Sequence, residues 1–158
     1  MTLDWLGAGS APYRPPPDPR LRIKPTTGVR GQVDGAWWPR SADPAAEFPG
    51  LVMALSSWIG PVNRLACHFG AWHPVVPEIV TNGWAVSLED CPTLPPDTVM
   101  AISADDRRMT VLVVPVGTRG GVARAVMYAA AARDTVATAA EILTSNGVPG
   151  SIAANGPE

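Results

Sequence analysis

The order of apolar patterns along the chain predicts an α+β fold, with a mostly antiparallel sheet and two helical segments packed on one face. Three observations carry this. Asn82-Gly83 stands between two strand-like runs, Glu78 to Thr81 and Trp84 to Leu88. Asn-Gly is the favoured two-residue hairpin turn, because both residues tolerate positive φ. Thr98 to Ala104 and Met109 to Val114 form a second hairpin across Asp105-Asp106-Arg107-Arg108. Apolar residues recur at helical spacing over two stretches, 43–60 and 121–143, so hairpins outnumber crossovers.

Taken in order, Leu21 and Ile23 alternate with Arg20, Arg22 and Lys24, which is the pattern of a half-buried strand ended by Pro25. Gln32 to Trp38 is a second strand stopped by Pro39, close enough to pair with the first as an antiparallel hairpin. Asp43 is a good N-cap and Pro44 suits the first helical position. Leu51, Val52, Leu55, Trp58 and Ile59 follow on one face, and Pro49 is expected to split this helix. Gly60-Pro61 stops it. Over Val62 to Trp72, the side chains of Leu65, Cys67 and Phe69 alternate with those of Arg64, Ala66 and His68, a further strand. Between 121 and 143, Arg133-Asp134-Thr135 is expected to break the helix, with Asp134 as a fresh N-cap. Residues 1–19 hold Pro12, Pro15, Pro16, Pro17 and Pro19 and read as a flexible tail. Residues 146–158 read as a second one. The domain is therefore expected over 20–145.

Composition excludes several classes. The chain has 158 residues, 46% apolar and 16% charged, with a net charge of −2. That is globular rather than disordered. No apolar run approaches the ~18 residues of a membrane span. A weakly acidic chain with a single lysine argues against a nucleic-acid binder, although Arg20, Arg22 and Lys24 line one strand. Two cysteines, Cys67 and Cys91, are too few for a disulfide scaffold, and Met1 to Ser10 lack a secretory signal. The expected compartment is the cytoplasm. Charge is uneven: residues 41–106 carry Arg64 against eight acids, whereas the flanking segments are basic. Such a layout can steer association.

The cluster with most chemical content is Asp34-Gly35-Ala36-Trp37-Trp38-Pro39-Arg40-Ser41. Neighbouring tryptophans on a strand point to opposite faces. Asp34 shares the Trp38 face, and Arg40 follows just past the strand end. A guanidinium stacked on an indole beside a carboxylate makes a small anion pocket. The alternative is structural, with Asp34 capping a turn or pairing with Arg40 while both indoles pack. This string resembles the signature of the actinobacterial domain-of-unknown-function family 5994. Arg20 to Pro25, Ala71-Trp72, Pro96 to Val99 and Leu112 to Pro115 resemble it too, so the likeness covers about residues 20–145. The resemblance implies a single domain and no established activity.

Other signals are weaker. His68 and His73 alone have zinc-like spacing, and adjacent Cys67 and His68 face opposite sides of a strand, so no metal site is expected. Cys67 reads as a small buried hydrophobe. Gly117-Thr118-Arg119-Gly120-Gly121 before a helix is a loose anion-nest candidate. No hydrolase elbow or P-loop occurs, no cofactor is indicated, and no catalytic residue can be named. The leading expectation is a non-enzymatic binding or self-associating domain, a homo-oligomer through a sheet edge or tryptophan patch. The alternative is a small-molecule (anion) binder or enzyme that uses Asp34, Trp37, Trp38 and Arg40.

Overall fold

A computed structural model of the chain describes residues 20–25, 28, 31–72, 76–81, 83–95 and 97–148. The expected tail at 1–19, His73 of the histidine pair, Asn82 of the hairpin turn and residues 149–158 lie outside the described residues.

Among the described residues seven strands are present: β1 (Leu21–Ile23), β2 (Gly35–Trp37), β3 (Val62–Cys67), β4 (Glu78–Thr81), β5 (Trp84–Asp90), β6 (Thr98–Ser103) and β7 (Arg108–Val113). They form one sheet in the order β1-β2-β7-β6-β3-β5-β4. The three expected hairpins are there. β1 pairs antiparallel with β2, β4 with β5, and β6 with β7. Gly83 has φ 88°, a left-handed conformation that only glycine adopts without strain.

The fold is α+β, but the sheet is mixed rather than mostly antiparallel. β2 runs parallel to β7, and β3 parallel to β5. Hairpin turns announce themselves locally, whereas β2 and β7 are brought together by tertiary packing across much of the chain. The helices also differ from expectation in number and placement. Among the described residues there are three α-helices: α1 (Pro44–Ile59), α2 (Gly120–Ala130) and α3 (Ala139–Ser145). They cover both faces of the sheet. Strand side chains alternate between faces, so Trp37, Leu65, Val99 and Val111 pack with Phe48, Leu51, Val52 and Leu55 of α1. On the other face Ala36 and Leu112 pack with Ala123, Val126 and Met127 of α2 and Ile142 and Leu143 of α3.

Local sequence explains the helix ends. The Asp43 carboxylate accepts a hydrogen bond from the Ala45 amide at 3.0 Å, as an N-cap does. Pro49 does not split α1, which runs through it. Proline deprives only the Ala45 carbonyl of its helical donor, and Ala45 is exposed. The α2–α3 break is wider than residues 133–135, and its cap is Thr138 rather than Asp134. Thr138 Oγ1 accepts from the Glu141 amide at 3.1 Å, while Glu141 Oε1 accepts from the Thr138 amide at 2.8 Å. This reciprocal capping box starts α3. Residues 146–148 are packed: the Val148 amide donates to Leu143 O at 2.8 Å and its side chain is buried. Among the described residues no helix is long and apolar enough to cross a membrane.

Candidate functional site

Strand direction defines two unlike ends of the sheet. β2, β7, β3 and β5 all run one way, and β1, β6 and β4 run the other. The carboxyl ends of the first group gather the segments 38–43, 68–72, 91–95 and 114–119 at one end. β2 and β7 are adjacent and parallel there, yet α1 leaves β2 over one face and α2 leaves β7 over the other. Chain divergence of this kind opens a crevice between the two outgoing loops.

One cavity lies in it, and a second adjoins it on the α2 side. The first, of about 230 Å³, is lined by Pro39 and Ala42 from the β2–α1 loop, Ala71 and Trp72, and Val113 to Val116. The other, of about 340 Å³, is lined by Pro115, Gly117, Thr118, Arg119, Val122, Gly147 and Val148. Pro115 is common to both. The floor of the first is aromatic. Trp72 stacks on Trp37 at 5.7 Å between ring centroids, and Phe48 meets Trp72 edge-on at 4.7 Å. Large rings in contact are rigid, so this wall is preformed.

The signature residues are distributed along β2 rather than gathered. Trp37 and Trp38 do face opposite sides, Trp37 in the α1 core and Trp38 against the α2–α3 core. Trp38 carries a stacked guanidinium, but it belongs to Arg20, 4.1 Å from the ring centroid, and not to Arg40. Arg20 also donates to Trp38 O at 3.1 Å, and the indole Nε1 donates to Val116 O at 3.4 Å. Asp34 lies at the far end of β2. Its carboxylate accepts from the Thr110 amide at 2.8 Å, its own amide donates to Thr110 O at 2.7 Å, and its carbonyl accepts from the Lys24 amide. It welds β2 to β7 and to the chain leaving β1. Arg40 is exposed at the crevice end, where its amide donates to Glu47 Oε1 at 3.1 Å. Ser41 donates to the other Glu47 oxygen at 2.8 Å, so the loop carrying Pro39 and Ala42 is tied to the first turn of α1.

The remaining reactive groups at this end are held in structural contacts. Burial, with the Asp90 charge adding to it, pushes the Cys67 thiol up from 9.0 to about 12. A thiol so placed stays protonated and unreactive at neutral pH. The His68 imidazole is hydrogen-bonded to Leu94 O, and the Cys91 amide donates to Cys67 O. Among the described residues no three His, Cys, Asp or Glu side chains group closely enough to hold a metal ion.

A family model described as a family of unknown function, DUF5994, matches residues 20–130. The chain belongs to this family. The matched span of the DUF5994 chain takes in all seven strands, the signature and α2, and with them most of the crevice wall. Searches of curated proteins and of solved structures found no match. Sequence reasoning found the signature and the Gly117–Gly121 loop, which turn out to share one end of the sheet. It missed Trp72 as a wall residue and Ala42 and Pro115 as neighbours of the cavity. Ala71-Trp72 and Leu112 to Pro115 stood among the family-like strings, and these were the signals that pointed there.

Proposed function

We propose that this DUF5994 chain is a binding domain whose ligand enters the crevice at the carboxyl end of the sheet and seats an apolar group against Trp72, Pro39 and Pro115. One observation carries this: α1 and α2 leave adjacent parallel strands over opposite faces, and the first cavity, lined by both outgoing loops, opens where they part, with Pro115 joining it to the second. In open sheets with parallel strands this is where ligands bind. Of the four signature residues, Trp37 supports the aromatic floor, Trp38 fixes the β7–α2 loop, Arg40 stands on the rim, and Asp34 holds the strand itself.

The test is a fluorescence titration with N-phenyl-1-naphthylamine, a neutral apolar probe. Wild type binds it saturably, and Ala42→Trp, which places a ring in the mouth of the first cavity from an exposed loop position, loses that binding with an unchanged melting temperature. No saturable binding, or equal binding by the variant, overturns the proposal.

Self-association is a second reading with its own observation. β4 is an edge strand, and Val80 on it is 69% exposed. An unpaired edge is a template for a second strand. Light scattering on the full chain tests it: a mass above 16.5 kDa that Val80→Lys returns to the monomer value supports the edge contact. A monomer at every concentration removes it.

A further inference from the structure

We infer that the crevice ligand is an organic anion, its apolar body in the Trp72 cavity and its negative group held by Arg119 and Arg124 beside the second cavity. The inference rests on the crevice reading and adds the ligand's charge.

Among the described residues neither cavity is lined by an acidic one. Arg119 lines the second cavity, and among the described residues its exposed guanidinium has no ion pair or hydrogen bond. Arg124 reaches back over the same place: its guanidinium nitrogens lie 3.5 and 3.6 Å from where a side-chain carbon on Gly120 would sit. Two cations therefore belong to the start of α2, Arg119 just before Gly120 and Arg124 folded back over it. That is the wrong end of a helix for them, because the helix dipole is positive there and favours acids. No acid stands in the first turn of α2, and the N-cap residue, Arg119, makes no capping hydrogen bond with its side chain.

Several arginines elsewhere among the described residues have partners, although the exposed side chains of Arg40 and Arg133 have none. Arg20 stacks on Trp38 and Arg22 on Tyr128, 4.0 Å from the ring centroid. Arg64 pairs with Glu89 and Asp106, and Arg108 with Asp106. Arg119 and Arg124 differ from these partnered arginines in being like charges at one positive helix end with no ion pair among the described residues. An anion bound there relieves that repulsion, with Thr118 as a further donor on the cavity wall. Pro115, shared by the two cavities, puts the apolar and basic parts side by side, so one small amphipathic anion spans both.

The experiment compares 8-anilino-1-naphthalenesulfonate with its desulfonated counterpart, N-phenyl-1-naphthylamine, by fluorescence titration of the full chain. The sulfonate is expected to bind about tenfold more tightly, the scale of one charge-assisted contact. That advantage falls as salt is raised. Arg119→Gln and Arg124→Gln each remove most of the advantage without changing affinity for the neutral probe, and Arg133→Gln, at the opposite end of α2, changes neither. Arg119→Asp supplies the missing cap, so it abolishes the sulfonate preference while raising the melting temperature by a few degrees. Equal affinity for both probes, or a sulfonate preference untouched by the arginine variants, overturns the anion inference and leaves the crevice reading standing. Failure of both probes to bind removes the crevice reading and this inference with it.

Discussion

Asp34 and Arg40 belong to one signature, yet they sit at opposite ends of β2 in opposite circumstances. At the amino end the acids are engaged. Asp34 holds the Thr110 amide, and Asp106 takes both Arg64 and Arg108 at 3.5 Å. At the carboxyl end the cations Arg40, Arg119 and Arg124 are exposed and have no ion pair among the described residues. The amino end is built of tight turns and closes the sheet; the carboxyl end is built of diverging loops and leaves two cavities. A charged residue in a short signature is thus informative only once its end of the strand is known.

The largest effect should come from the amino end. Gly35 opens β2, and a methyl group there would lie 2.1 Å from Arg22 O and 2.9 Å from the Ile23 Cα. Both are backbone atoms of the paired strand, which cannot move aside without losing β1. Gly35→Ala is expected to cost about 3 kcal/mol or more, measured by urea denaturation. A loss within about 0.5 kcal/mol, the range of an ordinary surface change, would show that the amino end is not a weld.

Asp34→Ala should follow. It leaves the half-buried Thr110 amide without its acceptor, at about 1–3 kcal/mol. Arg40→Ala sharpens the contrast, because only its amide is bonded and stability should stay within about 0.5 kcal/mol of wild type. The double variant should lose the sum of the two. A strongly non-additive result would mean that the two residues interact after all.

Cys67 gives the smallest effect and a sign. The fold raises its thiol to about 12, while an unfolded chain ionises near 9.0. The stability tied to the neutral thiol is therefore full below about pH 9 and falls as pH rises towards 12. Denaturation midpoints at about pH 8 and about pH 11 should differ more for wild type than for Cys67→Ala. In the native protein, iodoacetamide should label partly exposed Cys91 and spare buried Cys67 until denaturant is added.

Much of the fold was legible because its signals are local. Asn82-Gly83 marks its own hairpin, Asp43-Pro44 its own helix start, and alternation separates Trp37 from Trp38. The parallel β2–β7 and β3–β5 contacts were not legible, since nothing near Gly35 or Leu65 names a partner distant in the chain. Thr138-x-x-Glu141 was present as a capping signal and was outweighed by Asp134, which is exposed and caps nothing. At the site, strand parity placed Asp34 and Trp38 on one face but ignored length. Arg40 lies six positions beyond Asp34, up to about 20 Å of extended chain, and the two form no ion pair among the described residues. The return of Arg124 over Gly120 needed the helix to be seen, because a four-residue spacing in an alanine-rich stretch does not reveal it.

The account rests on the two ends of the sheet being functionally unlike, and the most direct measurement is a proton–nitrogen correlation spectrum of the labelled chain titrated with 8-anilino-1-naphthalenesulfonate. The account predicts saturable shifts in the amides of Arg40 to Ala42, Ala71-Trp72, Val116 to Val122 and Gly147-Val148, with the amides around Gly83 and Asp106 unmoved. Shifts centred on those amino-end turns or on the β4 edge, with the crevice amides silent, would contradict it.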